Sequence, residues 1–387
     1  MLFLTTRIKR DFLDSCAAIT RGRLHLITPE GEIHDFGQGS PEAELQLHDW
    51  SVVTACAAKG DIGLGETYVA GLWDTPSIAD LCEVSLLNLR ELERFAYLGL
   101  WARLGYRLLN SLFRANSRKG SPRNIRAHYD VGNEFYSLWL DPGMTYSSAL
   151  FDVGADLEGA QTRKNARILD KLAPGESILE VGCGWGGFAE QAAERGQHVT
   201  GLTLSPSQKG YADARLDGRA EIRLQDYREA RGRFDNIVSI EMIEAVGERY
   251  WPTYFATLKD RLAEGGRAVL QVITVPDDYF PTYRSGSDYI RQHIFPGGML
   301  LAPGIFRREA ARAGLVAEDP FFFGQDYART CRIWHERMNA EETRIKRLGM
   351  GEEFLRSWRF YLGSCAAAFT TGQTDVMQVA LSHAEEA

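Results

Sequence analysis

Ser177-Ile178-Leu179-Glu180-Val181-Gly182-Cys183-Gly184-Trp185-Gly186-Gly187-Phe188 is the stretch that decides the fold. A short apolar run feeds a glycine-rich turn, and a helix opens at Phe188. Glycines there let the backbone bend sharply and approach a ligand closely, as a nucleotide-type cofactor requires. Downstream, HVTGLTLS (198–205), AEIRLQDYR (220–228), FDNIVSIEMIEAVG (234–247) and GGRAVLQVIT (265–274) read as strands separated by helical spacing, and a helix over 159–172 precedes the glycine turn. Strands alternating with helices predict an α/β domain with a doubly wound, mostly parallel sheet.

The glycines alone leave two cofactors open, because Gly182, Gly184 and Gly187 also fit the dinucleotide pattern of NAD proteins. That pattern expects its ribose-binding acid about 20 residues later, whereas the strand ending at Ser205 carries none and Glu180 sits just before the first glycine. The order Glu180, glycine loop, Thr203-Leu204-Ser205, Gln225-Asp226-Tyr227 resembles the Rossmann-like class I S-adenosylmethionine (SAM)-dependent methyltransferases. That resemblance puts Asp226 near the adenine edge.

At 387 residues the chain exceeds one ordinary hydrophobic core, so two domains are expected. Residues 1–95 read as a small α+β domain. Its segment 21–55 alternates apolar and polar positions as short antiparallel strands do, and Ser77 is placed to cap a following helix. Residues 96–123 form a basic amphipathic helix and linker, and 124–387 the larger domain. The net charge of −8 argues against nucleic-acid binding, yet Arg103, Arg107, Arg114, Arg118, Lys119, Arg123 and Arg126 fall in one stretch without an acid. Arg103, Arg107 and Arg114 lie within roughly 40° of one another on a helix, with Trp101, Leu104, Leu108 and Phe113 on other faces. Such a helix suits an anionic membrane surface, or packs on the core with its arginines in water.

No apolar run reaches signal-peptide or membrane-span length, which predicts a cytoplasmic protein at most peripherally attached to the inner membrane face. Cys16, Cys56, Cys82, Cys183, Cys331 and Cys365 are far apart, with no CxxC pair, so a reducing compartment and no metal site are expected.

Further segments run in the order of the cyclopropane fatty acid synthase family, which includes mycolic acid cyclopropane synthases and fatty acyl methyltransferases. They are His128-Tyr129-Asp130-Val131-Gly132-Asn133-Glu134-Phe135-Tyr136, Leu140-Asp141-Pro142, Met144-Thr145-Tyr146-Ser147, the glycine loop, Leu224 to Arg228, Glu244 to Gly247, Tyr289-Ile290 with Ile294 to Gly298, and Phe323 to Tyr327. The chain resembles that family across 124–387, and more loosely over the N-terminal domain of its phospholipid-acting members. The resemblance implies S-adenosylmethionine as cofactor, surrounded by Tyr146, Ser147, Gly182, Gly184, Thr203, Ser205, Gln208, Gln225 and Asp226. It implies as substrate the cis double bond of an unsaturated phospholipid acyl chain. The product would be a cyclopropane or a methyl-branched or methylene chain. A homodimer and a partner reductase or desaturase are left open.

Members of the family are attributed a bicarbonate base held by Cys, Glu, His and Tyr side chains. By resemblance Glu244 and Tyr327 match, but Ser148 stands for the Cys and Gln271 for the His, which leaves bicarbonate in doubt. Glu241 occupies a position usually small in the cyclopropane synthases. Three residues from Glu244, it can share a helical turn with it and replace bicarbonate as base, or merely cap that helix. The Gln271 and Glu241 pattern resembles the methyl-branching subgroup. The aromatic stretch 277–301, with Tyr279, Phe280, Tyr283, Tyr289 and Phe295, is expected to roof an acyl channel or to pack as an ordinary insert. Two rivals remain: a methyltransferase of a small soluble molecule, as in the plant alkaloid N-methyltransferases that share this core, and a non-enzymatic lipid-binding protein.

Overall fold

A computed structural model describes residues 2–92 and 131–384, with side chains from residue 8 onward. The basic stretch 101–126 and the His128-Tyr129-Asp130 part of the first motif lie outside the described residues. The described chain forms two compact units: residues 2–92, 285–294 and 331–373, and residues 131–284, 295–330 and 374–384.

In the first unit β1 (Gly22–Ile27), β2 (Ile33–Gln38), β3 (Glu42–Leu47) and β4 (Trp73–Asp74) form a sheet in the order β2-β1-β3-β4. Alternation places Leu24, Leu26, Ala43, Leu45 and Leu47 in the core. The sheet is not purely antiparallel as expected, because β3 runs parallel to β1. Since β2 ends opposite Gly22 and β3 starts opposite Arg23, Gly39-Ser40-Pro41 need only pass beneath the start of β1. The Arg23 N–H fixes that passage by donating to the Pro41 carbonyl at 2.8 Å. Ser77 caps the helix Ile78–Leu87, accepting from the Asp80 N–H. The helix Glu352–Thr370 belongs to this unit rather than to the C-terminal domain expected from the sequence. It buries Leu355, Trp358, Phe360 and Leu362, and Gly363 meets Ile78 so closely that a Cβ would stand 2.6 Å from it. Tyr289, expected over an acyl channel, is buried in this unit against Phe360, with ring centroids 4.8 Å apart.

The second unit is the expected doubly wound, mostly parallel α/β fold. Its strands are β5 (Ser177–Val181), β6 (His198–Thr203), β7 (Glu221–Leu224), β8 (Phe234–Ile240), β9 (Leu262–Thr274), β10 (Leu315–Ala317), β11 (Phe321–Phe322) and β12 (Asp375–His383). The order is β10-β12-β9-β8-β5-β6-β7, with β11 paired to β12. Strands β5 to β9 are parallel, and β12 runs antiparallel to β9. Successive residues serve opposite faces. Leu179, Ile237 and Leu270 pack with Trp251, Phe255 and Phe306 of the helices Trp251–Arg261 and Pro303–Arg312. Ile178, Val238 and Val269 pack with Ile168, Phe188 and Leu216 of the helices Leu157–Leu169, Gly187–Glu194 and Pro206–Leu216. Burial on both faces explains the near-continuous apolar runs of these strands. The order reverses at β5, which opens a crevice beyond the carboxyl ends of β5 and β8, where ligands of such sheets bind.

Among the described residues no helix is long and apolar enough to cross a membrane.

Asn236, fully buried on β8, accepts from the Ala173 N–H at 2.8 Å and donates to the Ala173 carbonyl at 3.0 Å, clamping the approach to β5. Removing both bonds leaves two backbone groups unsatisfied. Asn236→Ala is expected to lower stability by about 2–3 kcal/mol in urea unfolding while cofactor affinity of the folded protein stays unchanged. A loss under about 0.5 kcal/mol, the range of neutral surface changes, would remove the clamp from the account.

Candidate active site

The glycine turn after β5 works through backbone shape. Gly182 has φ +86°, and a Cβ on it would lie 2.9 Å from Met242 Cγ, so both conformation and space demand glycine. The Gly182 and Cys183 N–H groups donate to the Leu202 carbonyl at 3.0 and 2.9 Å, tying the turn to β6. The turn borders a cavity whose wall brings together Tyr146, Ser147, Glu180, Gly182, Gly184, Thr203, Gln208 and Gln225. Thr203 Oγ1 donates to Gln208 Oε1 at 2.8 Å, and the Gln225 N–H donates to the Thr203 carbonyl at 3.0 Å, so the ends of β6 and β7 are held in register beside it.

Two expected cofactor residues are not on that wall. Ser205 caps the helix Pro206–Leu216, accepting from the Gln208 N–H. Asp226 forms a buried ion pair with Arg228, accepting from its Nε at 2.8 Å and from its backbone N–H at 3.0 Å.

A second cluster surrounds Glu241. This residue directly follows β8 in the left-handed region, φ +49°, and its N–H donates to the Gln271 carbonyl at 2.8 Å. The conformation is rare for a side chain larger than Gly or Asn, and it swings the carboxylate into a cage. Oε1 accepts from the Ser148 N–H at 2.9 Å and from Gln271 Nε2 at 2.7 Å. Oε2 accepts from the Tyr327 hydroxyl at 2.6 Å. Burial pushes the Glu241 pKa up, opposed by Tyr327, Ser148, Gln271 and Lys164 in that order.

The shared helical turn expected for Glu241 and Glu244 does not form. A 3-10 turn, Ile243–Ala245, starts only after Met242, and Glu241 is not its cap. Glu244 faces elsewhere: Oε1 accepts from the Ile273 N–H at 2.6 Å, and burial, then the charge of Glu241, pushes its pKa up to about 8. Ser148 contributes its N–H to the cage, while its hydroxyl donates to the Ala149 carbonyl at 3.0 Å.

Three participants are not among the site residues expected from the sequence, although Asp141 lies in the Leu140-Asp141-Pro142 motif. Gln378 on β12 donates Nε2 to Gln271 Oε1 at 3.0 Å, which obliges the Gln271 amide to present its NH2 to Glu241. Lys164 is fully buried, lines the cavity and donates to Ser147 Oγ at 2.9 Å. Asp141 shapes the turn ahead of Tyr146, its carboxylate accepting from the Thr145 N–H at 3.0 Å. Lys164 and Asp141 had visible signals, a lysine inside an amphipathic helix and an acid before proline. Gln378 had none.

The cavity suits S-adenosylmethionine by its own chemistry. Glu180 is 3% exposed, its Oε2 has no partner among the described residues, and burial, partly offset by Lys164, raises its pKa to about 8. A buried acceptor left open beside a glycine turn calls for a polar or cationic ligand group. Gly182→Ala is expected to weaken S-adenosylmethionine binding at least tenfold in calorimetry, since φ and Met242 both oppose it. Unchanged affinity would separate this turn from cofactor binding.

Comparison with known proteins agrees. The profile of the mycolic acid cyclopropane synthetase family matches residues 116–379. The chain is 36% identical over 336 residues to the tuberculostearic acid methyltransferase UfaA1 of Mycobacterium tuberculosis, covering 82% of this chain and 78% of that one. It is 32% identical over 360 residues to the cyclopropane-fatty-acyl-phospholipid synthase of Escherichia coli strain K12, covering 90% of both. The solved mycolic acid cyclopropane synthase CmaA1, complexed with SAH and CTAB, superposes with a TM-score of 0.63 at 29% identity, covering 67% of this chain and 97% of that one. With its glycine turn and this degree of likeness, the chain belongs to the mycolic acid cyclopropane synthetase family and is an S-adenosylmethionine-dependent methyltransferase.

Proposed function

We propose that the protein transfers a one-carbon unit from S-adenosylmethionine to the cis double bond of an unsaturated phospholipid acyl chain, with the Glu241 carboxylate as the base. The observation that carries this reading is the cage: the Ser148 N–H, Gln271 and Tyr327 all donate to Glu241. These are the sequence positions where the family is attributed its bicarbonate ligands, so the side chain fills the place of the free anion. The names of the relatives supply the substrate class.

Tyr146, Ser147, Glu180, Gly182, Gly184, Thr203, Gln208 and Gln225 would hold the cofactor. When bound, it supplies an electrophilic methyl group on a sulfonium. An alkene is a weak nucleophile, so the wall must hold its double bond in line and exclude water. Once the new bond forms, positive charge develops on the neighbouring carbon, and Glu241 removes a proton. Loss from the new methyl closes a cyclopropane; loss from an adjacent chain carbon gives a methyl-branched alkene, and loss from the methyl after a 1,2-hydride shift has moved the positive charge to the methyl-bearing carbon gives a methylene. The second outcome is favoured by Gln271 standing for His and by the methyltransferase name of UfaA1. Tyr279, Phe280 and Tyr283, packed on the second unit's core, would wall the acyl chain. The protein would dock peripherally on the inner face of the membrane through the basic residues 101–126. A homodimer and a partner reductase for an alkene product are compatible with it.

Activity should rise as pH passes through the Glu241 pKa, which burial holds above its ordinary value, so the acid limb of kcat/KM belongs above the usual carboxylate range of about 4.3. Glu241→Gln, assayed with S-adenosylmethionine and monounsaturated liposomes, is expected to lose at least about a hundredfold in turnover with cofactor affinity retained. Glu241→Gly, which opens the cage, is expected to regain activity with added bicarbonate. Full turnover in Glu241→Gln would refute the base. Gas chromatography with mass spectrometry before and after mild hydrogenation separates the products: a gain that becomes a saturated branched chain is the alkene, and one that resists is the cyclopropane. No lipid product from a cofactor-binding protein would favour a small soluble acceptor instead.

A further inference from the structure

Lys164 is 0% exposed, on the inward face of the helix Leu157–Leu169, while its neighbour Arg163 reaches outward to Asp152. An ammonium is rarely left in such a place without a counter-charge. Its Nζ donates to Ser147 Oγ at 2.9 Å, and the carboxylates within electrostatic reach are Glu241, Asp141 and Glu180. Among the described residues none of the three forms a direct ion pair with it. Lys164 lines one cavity with Ser147, Glu180 and Glu241, and the backbone N–H of Ser148, next in the chain to Ser147, donates to Glu241 at 2.9 Å, so the cation stands between the cofactor wall and the caged carboxylate.

We propose that Lys164 is a positioning residue whose buried charge keeps the Glu241 carboxylate ionised while its hydrogen bond seats Ser147 in the cofactor wall. The inference rests on Glu241 being the base. The titratable and charged groups that act on Glu241 are Tyr327 from the helix Gly324–Ala340, by its hydrogen bond, and, by charge, Lys164 from the helix Leu157–Leu169 and Glu244 from the turn after β8. Facing Lys164 are Glu180 from β5, Asp141 from the turn ahead of Tyr146, and Glu241. Of these, Lys164 alone is a cation, so it alone opposes, by charge, the burial that would protonate Glu241. Burial brings the lysine itself down to about 8, so it remains largely protonated at neutral pH. A cation confined to structural packing would stabilise the fold without moving the titration of Glu241, and the two roles separate there.

The test is an infrared pH titration of the protonated carboxylic acid band, assigned to Glu241 by its absence in Glu241→Gln, together with the pH profile of kcat/KM. In Lys164→Met the band should persist to a pH higher by about one unit or more, because the charged carboxylate has lost its partner. The acid limb should move with it, so that turnover at a pH on that limb falls about tenfold for each pH unit the limb moves. Lys164→Arg, which keeps the charge, should titrate nearer the wild type. Should Lys164→Met not fold, Lys164→Gln offers the same neutral replacement with a polar end. A Glu241 band that titrates in the neutral variant as in the wild type would overturn the proposal, whatever happens to stability. Failure of the base assignment shows separately, as turnover retained in Glu241→Gln, and the infrared titration still reads the hold of Lys164 on Glu241.

Discussion

A carboxylate at the edge of a buried sheet needs donors from several directions, and Glu241 dictates how the segments around it converge. The backbone N–H of Ser148 comes from the loop before the helix Leu157–Leu169, the amide of Gln271 from β9 and the hydroxyl of Tyr327 from the helix Gly324–Ala340. None can shift without taking a donor from a carboxylate that its surroundings already press toward protonation. The left-handed backbone of Glu241 belongs to the same constraint. With an ordinary strand conformation the side chain would follow the alternation of β8 into one packed face rather than emerge at its end.

The sheet makes that convergence possible. Reversal of strand order at β5 brings the ends of β5, β6 and β8 to one crevice, so Glu180, Thr203 and Glu241 meet although each lies at or next to the end of a different strand. The antiparallel β12 places Gln378 opposite Gln271 in register. That pairing matters because an amide, unlike an imidazole, can present either a donor or an acceptor. Gln378 donates to the oxygen of Gln271 and so leaves only the nitrogen for Glu241.

Much of this was legible in the sequence because its signals are local. The glycine turn, the apolar strands and Ser77 as a cap depend on neighbours a few residues away. The parallel pairing of β1 with β3 was not legible, since alternation fixes which face of a strand is buried but not which strand lies beside it. The same limit hid the helix Glu352–Thr370 in the first unit, because an apolar stripe does not name the core it will meet. Gln378 and Lys164 escaped for a related reason: their roles arise only when β12 and the helix Leu157–Leu169 are laid beside Gln271 and Ser147. Glu241 stands out in the sequence as a chemical oddity, but the route of its side chain is set by a single left-handed residue and not by helical spacing.

The proposed tethered base would also account for the residues that differ around it. A free anion must be gathered from solution, and its binding needs ligands that repay lost hydration and freedom. A carboxylate attached at the end of β8 arrives with folding, so a backbone N–H, an oriented amide and a phenol suffice to aim it, and a Ser and a Gln can stand where the family has a Cys and a His. The tether has a geometric consequence as well. A bound anion can settle beside whichever proton is nearest, whereas Glu241 reaches from one fixed point and is held at both oxygens. The choice between closing a ring and leaving an alkene then depends on which substrate hydrogen the acyl channel turns toward that point. On that proposal the partition between products would belong to the wall that orients the chain as much as to the base that takes the proton.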